Sequence, residues 1–118
     1  MIDNVLQKLH WLGHDGFRID ADKVIYIDPY QIRSAKPADI MLVTHDHYDH
    51  CSPDDIRKIQ QKSTVIVTDK ASATKLSGDV RIVKPGDSLT VGAESWTLDM
   101  PLDNDYGRPV FVLLVAAP

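Results

Sequence analysis

Residues 38–56 read ADIMLVTHDHYDHCSPDDI, and the order of residue types in this stretch decides the fold. Residues 38–44 are nearly all apolar and therefore predict a buried β-strand. Residues 44–51, which we call the histidine loop, hold three of the five histidines of the chain together with two aspartates. Buried strands that end in chemically active side chains are typical of α/β sheets, so the stretch predicts that fold class.

A helix is predicted directly after the histidine loop. Ser52 suits the N-cap position, and Pro53 suits the first helical position because a proline there loses no helical hydrogen bond. Ile56 and Ile59 lie three residues apart and give the helix one apolar face. The predicted unit is therefore a strand, a polar loop and an amphipathic helix.

The segments on both sides of this unit predict further strands and one more helix. Short β-type runs around Gly13 and Gly16 indicate an opening hairpin. The apolar run that leads to Asp28 indicates another buried strand. The remaining predictions are a strand at 63–69, a short helix at 70–78 stopped by Gly78, strands joined by turns at 80–100 with a turn at Pro85-Gly86, and a last strand within 108–118.

The composition indicates one domain and excludes some classes of partner. The chain has 118 residues, 43% of them hydrophobic, so we expect a single domain over 1–118 with its own core. Thirteen basic and 17 acidic residues give a net charge of −4, and the sequence has no cluster of Lys and Arg. We therefore expect neither nucleic acid nor a membrane surface as a partner.

The cysteine count and the terminal segments indicate a cytoplasmic location. Cys51 is the only cysteine, so no internal disulfide can form, which fits a reducing compartment. Residues 1–11 lack the basic lead and apolar stretch of a signal peptide. The apolar stretch at 110–118 is far shorter than the roughly 20 residues of a membrane span.

The histidine loop has the donor types and the spacing of a metal site. In an extended segment, side chains two residues apart point the same way, so His45, His47 and Asp49 would share one side. His50 follows directly and can turn to a neighbouring position. Imidazole nitrogens and carboxylate oxygens are the usual ligands of Zn²⁺ and similar metals. The alternative is a polar loop that caps a helix and holds its histidines by chance.

The sequence THDHYDH resembles the H-x-H-x-D-H signature of the metallo-β-lactamase fold hydrolases. The flanking segments, HWLGHDGFRI, VIYIDPY and ADIMLVT, resemble the opening of small metal-dependent hydrolases related to the lactonase that opens ascorbate 6-phosphate. The resemblance covers roughly residues 8–100. It implies an α/β (α+β) fold that equals the N-terminal half of the αββα sandwich, a mixed β-sheet with two helices on one face.

The resemblance also implies roles for the residues of the histidine loop. His45 and His47 would be ligands of a first metal, and Asp49 and His50 would be ligands of a second. The metals would be zinc, with manganese possible, and they would share a hydroxide that attacks a small-molecule substrate. Asp49 would in addition orient this nucleophile, which makes it the candidate catalytic residue.

Two residues outside the loop match further family positions. Asp28 would brace the metal loop from behind the ligands, as the family's first acidic motif does. Its alternative reading is an ordinary aspartate at a strand end, before a proline turn. His14 would lie near the mouth of the site, although an exposed turn histidine explains it nearly as well. Cys51 is expected to be structural.

The match to the family ends after residue 100. The family fold usually needs about 200 residues, and the sequence after His50 contains no histidine. Asp99, Asp103 and Asp105 do not stand in the context of the family's bridging aspartate. Each metal would then have two protein ligands, whereas a catalytic zinc normally has three and a water.

Three functional hypotheses follow from the incomplete site. In the first, the chain is a metal-dependent hydrolase completed by a second copy or by a missing half. In the second, it is a non-enzymatic truncated protein that binds a metal or a small ligand. In the third, it is an interaction module. A homo-oligomer is expected, since two helices can cover only one face of strands that are apolar on both faces.

Overall fold

A computed structural model describes residues 7–33, 36–91, 96–99 and 112–114. The described residues form two β-sheets and two helices, in the order β-hairpin, alternating strands and helices, and a final group of strands. The elements are β1 (Leu9–Trp11), β2 (Phe17–Asp20), β3 (Val24–Ile27), β4 (Ile40–Val43), α1 (Pro53–Ile59), β5 (Val65–Thr68), α2 (Lys70–Ala73), β6 (Asp79–Ile82), β7 (Ser88–Val91), β8 (Trp96–Asp99) and β9 (Val112–Leu114).

The larger sheet has six strands in the order of the chain, β1 to β6. The pairs β1–β2 and β2–β3 are antiparallel, which confirms the predicted opening hairpin. The pairs from β3 to β6 are parallel. The sheet is therefore mixed, with α1 and α2 as the crossovers between parallel strands, and the α/β prediction is confirmed.

The second sheet is antiparallel and has the order β7, β8, β9. Its first strand follows a turn in which the Asp87 N–H donates to the Lys84 carbonyl at 3.0 Å. Gly86 in this turn has a φ of +92°, a backbone conformation that favours glycine. The turn predicted at Pro85-Gly86 is confirmed. β9 lies within the last predicted strand, and the rest of that segment falls outside the described residues.

Strand β4 lies inside the larger sheet and is buried on both faces. Ile40 and Leu42 point into one apolar cluster, and Met41 and Val43 point into the other. Helix α1 contributes Ile56 and Ile59 to the second cluster, and Leu76, just after α2, packs against it. Both helices thus serve the same face of the sheet, as the sequence predicted.

The opposite face of the sheet is also covered within the single chain. Its cluster of Ile25, Ile40, Leu42, Val65 and Val67 is at most 7% exposed in the single chain. Val83 and two residues of β7, Leu89 and Val91, pack onto it. Because the second sheet supplies the cover, the described residues leave no large apolar face that a second copy would have to bury.

Helix α1 begins as predicted, whereas α2 ends earlier than predicted. The Ser52 hydroxyl accepts from the N–H of Asp55, and Pro53 is the first helical residue. Helix α2 ends at Ala73 with Thr74 as its C-cap, so Gly78 does not stop it. Gly78 instead adopts a φ of +102° just before β6. No helix in the described parts of the chain has the length and apolar character needed to cross a bilayer.

Candidate metal centre

The histidine loop follows β4 at the carboxyl end of the parallel strands. It forms a turn, in which the N–H groups of His50 and Cys51 both donate to the His47 carbonyl, at 2.9 and 2.7 Å. Lys75 donates to the Asp46 carbonyl at 2.9 Å and ties the loop to the segment after α2. The fold therefore presents the loop at the edge of the sheet where α/β proteins place their sites.

Asp28 fixes the histidine loop from the end of the neighbouring strand. Its carboxylate accepts hydrogen bonds from the Thr44 N–H at 2.8 Å, the Thr44 hydroxyl at 2.6 Å and His50 Nδ1 at 2.7 Å. The residue is 3% exposed and has a φ of +44°, a strained conformation for a residue other than glycine. Three hydrogen bonds and burial thus hold the loop in one position.

Burial decides the protonation equilibrium of Asp28. Desolvation raises the pKa of this carboxyl group, and the hydrogen bonds from Thr44 and His50 offset only part of that effect. This balance makes the hydrogen bonds to the loop necessary for keeping a charge in a buried place.

The hydrogen bonds to Asp28 also select the imidazole tautomers. The single Thr44 hydroxyl proton goes to Asp28, so at the 2.9 Å contact with His45 the Nδ1 must be the donor. His50 likewise directs Nδ1 to Asp28. With Nδ1 engaged in this way, Nε2 would be the nitrogen of each ring that binds a metal, an arrangement that is common among metal-binding histidines.

The loop brings its three imidazoles together. The ring centroids of His45 and His47 lie 4.6 Å apart, and those of His45 and His50 lie 3.9 Å apart. Asp49 places a carboxylate oxygen 3.8 Å from His50 Nε2. All four candidate ligands from the sequence therefore lie on one short turn.

The structure adds Asp15, a residue that the sequence analysis did not include. Asp15 lies in the hairpin turn between β1 and β2, and its carboxylate is 3.1 Å from His50 Nε2. Asp15, Asp49 and His50 each offer a ligand atom, and these atoms all lie within 4.8 Å of one another. A short turn between two glycines carries no metal-binding signal, so only the strand pairing could reveal this residue.

His14, the second candidate outside the loop, lies at the rim of this group. It has a φ of +52°, and its Nε2 lies 3.0 Å from Gln31 Oε1. Its ring makes an edge contact with Tyr30, with the centroids 4.9 Å apart. Tyr30 in turn contacts Tyr48 of the histidine loop, with the centroids 5.8 Å apart. These aromatic side chains form a rim beside the candidate ligands.

Cys51 takes no part in the rim or in the ligand group. Its side chain is 2% exposed and packs in the cluster under α1. Burial raises the pKa of the thiol, which keeps it protonated and poorly nucleophilic. The structural role expected for Cys51 agrees with this environment.

The donor set of the loop suits a divalent metal such as zinc. It offers imidazole nitrogens and carboxylate oxygens, which are the ligand types that zinc takes. Two ligands at about 2.0–2.2 Å from a tetrahedral zinc lie about 3.4 Å apart. The separations of 3.1 and 3.8 Å around His50 Nε2 lie on both sides of that value.

Comparison with known proteins identifies the family to which this fold and its loop belong. The family model described as "Beta-lactamase superfamily domain" matches residues 8–108. The chain belongs to this superfamily and has the metallo-β-lactamase fold.

Relatives with assigned names extend the comparison. The chain is 32% identical to a UPF0173 metal-dependent hydrolase of Methanoculleus marisnigri, over 84% of this chain and 44% of that protein. It is 26% identical to one of Koribacter versatilis, over 83% of this chain and 58% of that protein. The chain therefore spans about half the length of the curated relatives it matches.

Solved structures share the same fold. A protein from Parabacteroides distasonis superposes with a TM-score of 0.70 at 25% identity, over 79% of this chain and 44% of that chain. A metallo hydrolase from Ignicoccus hospitalis superposes with a TM-score of 0.64 at 17% identity, over 92% of this chain and 57% of that chain. The described sheet and helices thus equal one half of a larger sandwich.

Proposed function

We propose that the chain is a zinc-type, metal-dependent hydrolase-like protein whose ligands are His45, His47, Asp49 and His50. The observation that carries the proposal is the set of hydrogen bonds from Thr44 and His50 to the buried Asp28. With Nδ1 of His45 and His50 engaged in this network, Nε2 is the nitrogen that would bind a metal in each ring. Manganese is an alternative metal, since carboxylates and imidazoles serve it as well.

The chemistry of the site follows from its residues. A bound divalent metal would lower the pKa of a water and polarise the bond to be hydrolysed. Asp28 would keep His45 and His50 in the required tautomer, and Asp49 would orient the attacking water. The rim of His14, Tyr30 and Tyr48 offers aromatic surface to a small-molecule substrate at the mouth of the site. The single buried cysteine suits a cytoplasmic location.

The proposal includes completion of the site by a second copy or a partner chain. The matched relatives are about twice as long as this chain, and the loop alone gives two ligands to each metal. A non-enzymatic protein that binds a metal or a small ligand is the alternative, favoured by the same difference in length. An assay of hydrolysis distinguishes the enzyme from the non-enzymatic binding protein.

Metal binding tests the site assignment. The chain should retain zinc through gel filtration, and His47→Ala combined with His50→Ala should remove it, because each metal then loses a ligand. His10→Ala is the matched control, since His10 lies outside the loop and contacts Asp20 at 3.0 Å. Elemental analysis should find zinc in the control as in the parent. Equal zinc in the double variant and the parent would contradict the assignment.

Hydrolysis tests the enzymatic part of the proposal. Zinc-loaded chain is assayed on lactone and phosphodiester substrates over a range of protein concentrations. Turnover per chain that rises with concentration is expected, because assembly would complete the site. Zinc binding without turnover at any concentration would favour the non-enzymatic alternative.

A further inference from the structure

We propose that Asp15 is a third protein ligand of the metal held by Asp49 and His50. The inference rests on the proposed function and deepens it, because it assigns to the metal a residue from the hairpin before the histidine loop. A third ligand would give this metal three protein donors within the described residues alone. That number leaves one position of a tetrahedral zinc for water.

The geometry around His50 carries the assignment. Asp28, 3% exposed, holds His50 Nδ1 at 2.7 Å, so the ring cannot turn its other nitrogen away. Nε2 then lies 3.1 Å from an Asp15 oxygen and 3.8 Å from an Asp49 oxygen. The group contains an imidazole of fixed orientation as well as two carboxylates, which distinguishes it from a chance cluster of surface acids.

The hairpin turn that carries Asp15 is itself fixed. The Leu12 N–H donates to the Gly16 carbonyl at 2.9 Å, and the Gly16 N–H donates to the Gly13 carbonyl at 3.0 Å. Trp11 Nε1 donates to the His14 carbonyl at 3.0 Å. These bonds keep the turn closed and set the direction in which Asp15 points.

The turn also lies close to the strand that ends in Asp28. A Cβ added at Gly16 would come within 3.0 Å of the Asp28 carbonyl oxygen, so the approach depends on glycine. His14 in the turn has a φ of +52°, and the nearby Asp28 and Gln31 also have positive φ values, of +44° and +49°. Strained residues of this kind persist where the surroundings hold a functional arrangement.

A simple ion pair between Asp15 and His50 is the competing explanation. Such a pair needs one oxygen near one nitrogen, and the Asp15 side chain is 57% exposed, so the pair would stabilise the fold little. An ion pair between Asp15 and His50 does not require the Asp49 carboxylate to lie near His50 Nε2, whereas a metal bound by all three residues does. Metal affinity separates the explanations, because only a ligand changes it strongly.

The test compares zinc affinity in Asp15→Asn and Asp22→Asn. Asp22 is an exposed aspartate in the next turn, so its variant removes the same charge away from the loop. Competition with a chromophoric chelator should show zinc binding at least ~10-fold weaker in Asp15→Asn, a loss seen even for residues that only support a ligand. Asp22→Asn should bind zinc as the parent does.

A second variant reports coordination directly. Asp15→Cys places a thiolate where the carboxylate was, and thiolates bind Co²⁺ as they bind zinc. With Co²⁺ this variant should show a sulfur-to-metal charge-transfer band in the near ultraviolet that the parent lacks, since the native Cys51 thiol is buried in the apolar cluster under α1. The spectrum does not depend on turnover, so it tests the ligand and not the activity.

The outcomes separate this inference from the proposed function. Weaker zinc binding in Asp15→Asn, with the charge-transfer band in Asp15→Cys, supports Asp15 as a ligand. A parent that binds zinc, with Asp15→Asn equal to Asp22→Asn and no band in Asp15→Cys, overturns the inference and leaves the proposed function intact. A parent that binds no metal overturns both.

Discussion

Two buried carboxylates connect segments that are distant in the sequence, and their pKa values shift in opposite directions. Asp28 joins β3 to the histidine loop and has a raised pKa, because desolvation outweighs its hydrogen bonds. Desolvation also raises the pKa of Asp55, but donors from Ser52, Lys58, Gln31 and Ile32 outweigh it and lower the pKa overall. The deeper burial of the Asp28 carboxyl group and the Lys58 cation beside Asp55 together account for the difference.

Asp55→Asn tests the structural role of this second carboxylate. The neutral amide loses the ion pair with Lys58 and one of the acceptors for the Gln31 and Ile32 N–H groups. We expect a loss of about 1–3 kcal/mol in the free energy of unfolding at neutral pH, measured by urea denaturation. Asp54→Asn, with an exposed carboxylate on the same helix, should cost less than about 0.5 kcal/mol.

The stabilisation that the Asp55 carboxylate contributes should depend on pH in a defined direction. Because the folded-state pKa of Asp55 lies below its ordinary value of 3.8, the ionised carboxylate stabilises the fold at higher pH. That contribution is lost as the pH falls from about 4 through the lowered pKa. The difference in the free energy of unfolding between the parent and Asp55→Asn should shrink as the pH falls over this range. A difference that grows instead would contradict the stabilising role of the ionised Asp55.

At the scale of elements, the parallel core strands explain why the histidine loop has a rigid base. The β4 strand pairs with β3 on one side and β5 on the other, and each of its four residues is buried. The loop leaves this strand at Thr44, where Asp28 of the adjacent strand receives it. A ligand set placed on such a base loses little conformational freedom when it binds.

Leu42→Ala tests how far the stability depends on this central strand. Leu42 is 1% exposed, and removing its side-chain carbons should leave a cavity between the two sheets. We expect a loss of about 2–5 kcal/mol, measured by urea or thermal denaturation. Ile82→Ala in the edge strand β6 is the matched control, since Ile82 is 58% exposed and should cost less than about 1 kcal/mol.

At the scale of the whole molecule, the assembly prediction needs a different basis from the one that the sequence supplied. The second sheet closes the apolar face of the first, so a dimer is not required to cover that face. The remaining support is the edge strand β1, where Leu9 is 40% exposed and Trp11 is 70% exposed, together with the incomplete ligand set. The homo-oligomer stays a proposal on these grounds.

Sedimentation or light scattering at micromolar concentration tests the assembly. We expect a dimer mass that Trp11→Lys reduces, because a charge at the exposed edge opposes strand pairing between copies. Ile82→Lys, which changes an exposed apolar residue at the opposite edge of the sheet, should leave the mass unchanged. A monomer mass at every concentration would leave the proposal without support.

The sequence by itself determined the local features of this protein. Apolar runs fixed the strands β3 to β5, the cap at Ser52 fixed the start of α1, and the donor types in residues 44–51 indicated a metal site. These features depend on neighbours in the chain, so periodicity and capping chemistry predict them. The end of α2 was predicted too late, because the chain leaves the helix at Thr74, well before the glycine.

Only the tertiary structure decided which distant residues meet at the loop. The contact between Asp28 and His50 joins residues 22 positions apart, and Asp15 reaches the same histidine from the first hairpin. The packing of β7 onto the face of the larger sheet opposite the helices also joins distant residues. Such contacts depend on the register of paired strands and on the direction of turns, and these are set by the packing of the whole chain and not by any local pattern.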